Sequence, residues 1–329
     1  MTTAVGERGP IGVLYEHPEW FEPMFAEFDR LGVPYDRLLA YDHSFDPAEP
    51  ESPHVLVVNR MSPSAFMRGH AHAIPYTLEY LAHLEAISAN VLNGLRAYSY
   101  EFSKVRQLGL LSRLGVLAPR SRVIYHAMQA VRAARALRYP VVIKPNIGGS
   151  GAGIRRFDDE EQLRSAAEEG ELDHGLDGVA LIHEYHPPVG GRINRVEVLG
   201  GRHLYALQVQ LESPDSFNLC PADYCRTSAS GAPDVAHASE SLVRAVTPPQ
   251  LVVENVLRVA EAAGIEVGGV EYLVSERDGK TYYYDINALS NFVADAPNVV
   301  GFDPVPLLVD FVMERAGLLQ RATLAAVTG

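Results

Sequence analysis

Three side chains near the end of the chain combine oxygen donors with a spacing suited to a hard cation. In Tyr282-Tyr283-Tyr284-Asp285-Ile286-Asn287, Asp285 and Asn287 stand two apart, so on a strand they project from the same face. Glu271 closes the apolar run Ile265–Val270, fourteen residues before Asp285, and Asp278-Gly279 lies between them as a turn. The pattern reads as a hairpin that brings Glu271, Asp285 and Asn287 to one spot. Carboxylate and amide oxygens so gathered suit Mg²⁺, with Mn²⁺ as an alternative. A solvated strand end has the same composition, and the hairpin alone does not decide between them.

The positive residues narrow the choice. Of 28 Lys+Arg only three are lysine: Lys104, Lys144 and Lys280. Lys144 ends the short apolar strand signal Tyr139–Ile143 and is followed, after Pro145-Asn146-Ile147, by Gly148-Gly149-Ser150-Gly151-Ala152-Gly153. An ammonium is a compact partner for phosphate oxygens, and a glycine-rich loop lets backbone N–H groups approach them closely. The order does not fit the P-loop, because Gly153 is followed by Ile154 and Arg155. Nor does it give G-x-G-x-x-G. The glycines also suit a hairpin loop between Val141–Lys144 and Gly153–Phe157.

Taken in order, these motifs resemble the ATP-grasp superfamily, in particular its carboxylate–amine ligases such as the ribosomal-protein glutamate ligases, glutathione synthetases and D-alanine ligases. The resemblance runs from about Asn93 to Glu314. It implies that Lys104, in Glu101-Phe-Ser-Lys104, and Lys144 are the two ATP lysines. Gly148, Gly149, Ser150, Gly151 and Gly153 would form the mobile phosphate loop. In Leu181-Ile182-His183-Glu184-Tyr185, the backbone of His183, Glu184 and Tyr185 would read adenine. Glu271, Asp285 and Asn287 would hold the metal. Arg195 would contact the transferred phosphoryl or acyl-phosphate group; the alternative is a surface strand arginine.

Several positions depart from the family. Aspartate stands at 285 where glutamate is usual. Ile193-Asn194 occupy the place of the acidic ribose ligand, leaving ribose binding unassigned. After Asn287 the chain reads Ala288-Leu289-Ser290-Asn291-Phe292 rather than a Pro-Gly turn, so the acceptor side differs, and Asn291 becomes a substrate candidate.

The resemblance implies an α/β ATP-grasp fold in three subdomains: an N-terminal parallel-sheet domain over 1–94, a lid subdomain with both lysines over 95–185, and a metal-bearing subdomain over 186–329. It also implies an ATP-dependent ligase that forms an amide through an acyl phosphate and releases ADP and phosphate. Its partners would be small carboxylate and amine substrates, and a homo-oligomer would be in keeping with related ligases. Two alternatives remain: a ligase modifying peptides or proteins, and a non-catalytic ATP-binding module.

The positioning elements follow from apolar periodicity. Ile11–Glu16, Tyr35–Tyr41 and Val55–Asn59 read as strands, Trp20–Leu31 and Pro75–Ser88 as helices. Arg60, just past a parallel-strand end, suits either a bidentate grip on a substrate carboxylate or a solvated loop. Further helices are expected over Glu160–Gly170, from a Thr247 N-cap to Ala263 before Gly264, and over Asp303–Gly317. Between them, Glu212–Pro249 reads as a polar insertion containing Cys220 and Cys225, two thiols without disulfide or zinc spacing. It lies where it could shape an acceptor pocket, or hold two unremarkable thiols. His70 and His72 read as surface residues. A net charge of -13 and pI near 5.4 argue against nucleic acid as the main partner. No long apolar span or signal-peptide pattern is visible, so a cytoplasmic, membrane-free protein is expected.

Overall fold

The computed structural model describes residues 9–17, 19–149, 151–211, 213 and 242–319. Two compact units emerge, one formed by Met1–Tyr98 with Phe302–Gly329, the other by Ser99–Gly301. The sequence reading grouped the last helix with residues 186–301; the chain instead returns it to the first unit.

In the first unit, β1 (Ile11–Tyr15), β2 (Tyr35–Leu39), β3 (Leu56–Arg60) and β4 (Val91–Leu92) form a parallel sheet in the order β2-β1-β3-β4. β1 and β3 are buried throughout, apolar except for Asn59 and Arg60 at the end of β3, as suits a parallel sheet covered on both faces. Helix α1 (Glu22–Leu31) buries Met24, Phe25 and Phe28 and stops at Gly32, whose φ of 66° is left-handed. Helix α2 (Ala73–Ala86) starts two residues before the expected Pro75, because a proline in the first turn forfeits no helical hydrogen bond. It ends before Ser88, which has φ 56°. The terminal helix Pro304–Arg315 is capped by Asp303, which accepts from the Val305 N–H at 2.9 Å, and packs against α1. A short helix, α3 (Leu95–Glu101), contains the boundary between the units.

The second unit holds two sheets. The smaller consists of β5 (Ser121–Ile124), β6 (Val141–Pro145), β7 (Arg155–Phe157) and β8 (Ala180–Glu184), in the antiparallel order β5-β8-β6-β7. Helices α5 (Gln129–Ala134) and α6 (Glu160–Glu168) cover one face of this sheet, burying Ala130, Ala134, Leu163 and Ala166 against Ile143, Phe157 and Ile182. The expected acidic start of α6 is present: Asp159 is its N-cap and accepts from the Gln162 N–H at 2.9 Å.

The larger sheet runs β11-β10-β9-β12-β13, all antiparallel: β9 (Pro188–Leu199), β10 (Arg202–Gln210), β11 (Val243–Ala245), β12 (Val267–Ser275) and β13 (Thr281–Asn287). The turn between β12 and β13 has Gly279 at φ 68°, as its sequence suggested. Two expectations need correction. Val243–Ala245 is an edge strand rather than part of the polar insertion. Helix α7 (Gln250–Ala263) is capped by Pro249, not Thr247, because Pro249 forces the preceding residue out of the helical region. Residues 214–241, with Cys220 and Cys225, lie outside the described residues. Among the described residues no helix is long and apolar enough to cross a membrane.

Candidate nucleotide and metal site

The larger sheet's registers assemble two adjacent rows of side chains on one face. One row is Arg195 on β9, Glu271 on β12 and Asp285 on β13; the next is Glu197, Gly269 and Asn287. Directly opposed residues on antiparallel strands lie about 4.5–5.5 Å apart at Cβ, close enough for side chains to interact. Glu271 Oε1 accepts from Arg195 Nη1 at 3.3 Å and lies 3.5 Å from Asn287 Nδ2. Arg195 Nε donates to Glu197 Oε1 at 2.6 Å. Arg195 is buried, which excludes its reading as a surface strand residue.

Both lysines reach this face. Lys104 is the first residue of helix α4 (Lys104–Arg113), and its ammonium donates to Asp285 Oδ1 at 3.0 Å. Lys144, on β6, donates to the Tyr284 carbonyl at 3.4 Å. The hairpin's three oxygen donors and the two lysines therefore come together in one unit.

Charges in this cluster are out of balance in an informative way. Burial pulls the Lys104 ammonium down, but Asp285, Glu101 and Glu271 outweigh it and hold the group above its ordinary value. Lys144 goes the other way: burial, then the neighbouring Lys104 charge, bring it down to about 8. Burial and the Asp285 charge raise Glu271 to about 7, against the pull of Arg195. Asp285 stays below the usual carboxylate range, since Lys104 and Lys144 overcome its burial. Glu271, whose proton affinity the neighbouring Asp285 charge raises, would be relieved by a divalent cation between the two carboxylates.

Glu271, Asp285 and Asn287 fit magnesium by chemistry. Mg²⁺ is commonly held by one or two carboxylates together with substrate phosphates. Among the described residues no group of three or more His, Cys, Asp and Glu side chains could hold a metal by itself.

The glycine loop is a tight, largely half-buried turn. Gly151 and Gly153 adopt φ 72° and 73°, and the Ala152 and Ile154 N–H groups fold back on Gly149 and Gly151 carbonyls at 3.0 and 3.3 Å. β6 and β7 pair on either side, so the hairpin reading holds. Gly148 is the loop's first glycine; Ser150 lies outside the described residues.

On the segment read as adenine-binding, the Glu184 N–H donates to the Arg120 carbonyl and the Tyr185 N–H to the Pro140 carbonyl, both at 2.9 Å. Those two donors are committed within the protein. His183 contributes its side chain as well: its Nδ1 lies 2.7 Å from Ser121 Oγ, and burial followed by Lys144 and Lys104 keeps the ring far below its ordinary pKa. The imidazole is neutral at physiological pH.

Asn291 follows the metal strand, with its Oδ1 buried and without a hydrogen-bond partner. Arg60, in the first unit, is the last residue of β3 rather than a loop residue. It is 2% exposed, with its guanidinium carbon 5.3 Å from the Phe21 ring, so the solvated alternative fails.

Four side chains that sequence reasoning did not single out hold the site together. Glu101 accepts from the Ala288 and Leu289 N–H groups, the latter at 3.1 Å, bracing the turn after Asn287. Gln107 grips the Ile286 backbone on both sides, at 2.8 and 3.1 Å. The Asn146 side-chain oxygen caps the start of α4, accepting from the Val105 N–H at 2.9 Å and from Ser103 Oγ at 3.2 Å. Glu197 grips Arg195. Only its position two residues from Arg195 on one strand could have pointed to it.

Comparison with known proteins agrees with this architecture. Residues 104–175 match the family described as carbamoyl-phosphate synthase L chain, ATP binding domain. A D-alanine--D-alanine ligase of Neisseria gonorrhoeae is 25% identical over 222 residues, 65% of this chain and 64% of that protein. The alpha-aminoadipate--LysW ligase LysX of Sulfurisphaera tokodaii is 29% identical over 163 residues, 48% of this chain and 54% of LysX. The aligned regions thus span less than two thirds of the length of these relatives. Among solved structures, ATP-grasp ligase PsnB complexed with a minimal precursor superposes with a TM-score of 0.65 at 18% identity, covering 93% of this chain and 98% of PsnB. At that identity the likeness concerns the fold. The chain therefore has the ATP-grasp fold, and its residues 104–175 are similar to an ATP-binding domain.

Proposed function

We propose that this protein is an ATP-dependent carboxylate–amine ligase. The observation that carries the reading is the convergence of Lys104, Lys144, Arg195, Glu271, Asp285 and Asn287 in one buried, charge-paired cluster. Lys104 and Lys144 would bind the phosphates of ATP, and the Gly148–Gly153 loop would close over them and exclude water. Bound at Glu271, Asp285 and Asn287, Mg²⁺ would neutralise phosphate charge. A substrate carboxylate oxygen would attack the γ-phosphorus, releasing ADP and forming an acyl phosphate. An amine would then attack the acyl carbon, expelling phosphate and losing a proton to leave an amide. Arg195 would face the transferred phosphoryl group. Such transfer depends on alignment and charge neutralisation more than on a covalent nucleophile of the protein.

The hinge, His183–Tyr185, would lie at the adenine, with Arg60 and Asn291 as substrate contacts. Residues 95–185 and 186–301 would act as the lid and metal-bearing subdomains. A homo-oligomer in the cytoplasm suits the same reading.

A second reading, a ligase acting on a peptide or protein, draws on the names of two relatives: a LysW ligase and an ATP-grasp ligase complexed with a precursor. ADP release screened across amino acids, small carboxylates and peptides, with mass spectrometry of products, separates the two. The ligase reading fails if the protein takes up no adenine nucleotide in the presence of Mg²⁺.

A further inference from the structure

Among the described residues, Arg195 has two carboxylate partners of unequal closeness. Its Nε donates to Glu197 at 2.6 Å, whereas its Nη1 reaches Glu271 at 3.3 Å. Glu197 is 1% exposed and Glu271 7%. Only Glu271 belongs to the set that fits a divalent cation; Glu197 lies in the adjacent row, opposite Gly269.

That glycine is required by the pair. A Cβ at 269 would come within 2.7 Å of Arg195 Nε and 2.9 Å of Glu197 Oε2. The backbone opposite the pair therefore leaves space for the guanidinium beside Glu197.

We propose that Glu197 is a positioning residue, the permanent anchor of Arg195, which keeps the guanidinium in place when a divalent cation claims Glu271. This role rests on the nucleotide–metal site proposed above. With Glu197 present, the Arg195 guanidinium keeps a close carboxylate partner when Glu271 turns to the cation. Without it, the carboxylate that remains to Arg195 among the described residues is Glu271, where it competes with the metal. A buried cation that loses one anion is drawn strongly to the next, because solvent does not compensate it.

The test uses the intact protein and Mg·ADP, in a calorimetric cycle of wild type, Glu197→Gln, Arg195→Ala and the double variant. Glu197→Gln should weaken Mg·ADP binding by about tenfold, within the range expected for contacting, coupled residues. Arg195→Ala should bind at least as tightly as wild type, and the double variant should match Arg195→Ala. An equal loss from Glu197→Gln in both backgrounds, or none in either, overturns the anchor.

A measurement on the wild type covers the case in which Glu197→Gln fails to fold. The Arg195 Nε–H resonance, assigned by its loss in Arg195→Lys, should be shifted downfield and slow to exchange, and should stay so after Mg·ADP is added. Its collapse on adding Mg·ADP overturns the proposal. Failure of the wild type to bind Mg·ADP at all counts against the ligase reading instead, and the resonance of the free protein still reports whether Glu197 holds Arg195.

Discussion

Replacing Asp285 by asparagine removes one charge from the pair that Lys104 makes at 3.0 Å, with side chains 12% and 23% exposed. Deleting one partner of a fully buried pair costs about 3–5 kcal/mol. Here the cost is smaller, because Glu101 and Glu271 still face Lys104 and some solvent reaches the pair. We expect about 1–3 kcal/mol, discounted for that screening. For a domain of this size, that lowers Tm by about 2–4 °C per kcal/mol. Thermal denaturation followed by circular dichroism measures it. Adding ligand sharpens the test: at 100 times its Kd, Mg·ADP should stabilise wild type by about 2.7 kcal/mol. Asp285→Asn should lose the part of that gain that depends on magnesium. The double variant Lys104→Met with Asp285→Asn should recover stability over Asp285→Asn alone, since a neutral pair leaves no orphaned ammonium. An Asp285→Asn protein that melts with wild type and responds fully to magnesium would refute the placement of Asp285 in both the ion pair and the metal site.

Other expectations follow from the same cluster. Lys144 is lowered to about 8 from an ordinary 10.5, so the folded chain binds fewer protons than the unfolded one between those values, and stability should rise with pH across that window. On the proposed reading Lys144 grips the ATP phosphates as an ammonium, so ATP affinity should fall above pH 8 by up to about tenfold per pH unit, with proton uptake visible as buffer-dependent heat. Lys144→Arg should abolish this dependence, whereas a flat affinity from pH 7 to 9 would contradict it. Glu101→Ala should cost about 2–5 kcal/mol in urea denaturation, because two buried N–H groups at Ala288 and Leu289 lose their acceptor. Gly153→Ala should cost about 1–2 kcal/mol for its left-handed backbone. It should also weaken ATP binding, since the new Cβ would lie 2.5 Å from Asp173 Oδ2 and 2.9 Å from Pro145 Cγ. Unchanged melting and affinity would count against the loop geometry.

What was legible in the sequence depended on how locally it was encoded. The β12–β13 hairpin rests on a turn and an alternation within some twenty residues, and it forms as read. The Asp159 cap and the Gly264 stop are likewise written in adjacent residues. Asn287 and Asp285 shared a face because the strand period alone dictates it. Glu101, Gln107 and Asn146 were missed because their partners lie 187, 179 and 41 residues away, and no periodicity encodes such pairings. The Val243–Ala245 strand escaped notice for a related reason. Three residues at a sheet edge carry little pattern, and their pairing to β10 supplies the structure. Arg60 looked evenly divided between solvent and ligand because its burial is decided by packing around the end of β3, not by its neighbours in sequence.

The return of the terminal helix to α1 makes the first unit discontinuous along the chain, with the second unit inserted into it. A fragment ending near residue 98 would therefore lack one of its own packing layers and expose the apolar side of α1, whereas residues 99–301 form one uninterrupted piece. Deletions from the carboxyl end would accordingly injure the amino-terminal sheet first, and leave the lysines and the acidic strand end to unfold on their own terms.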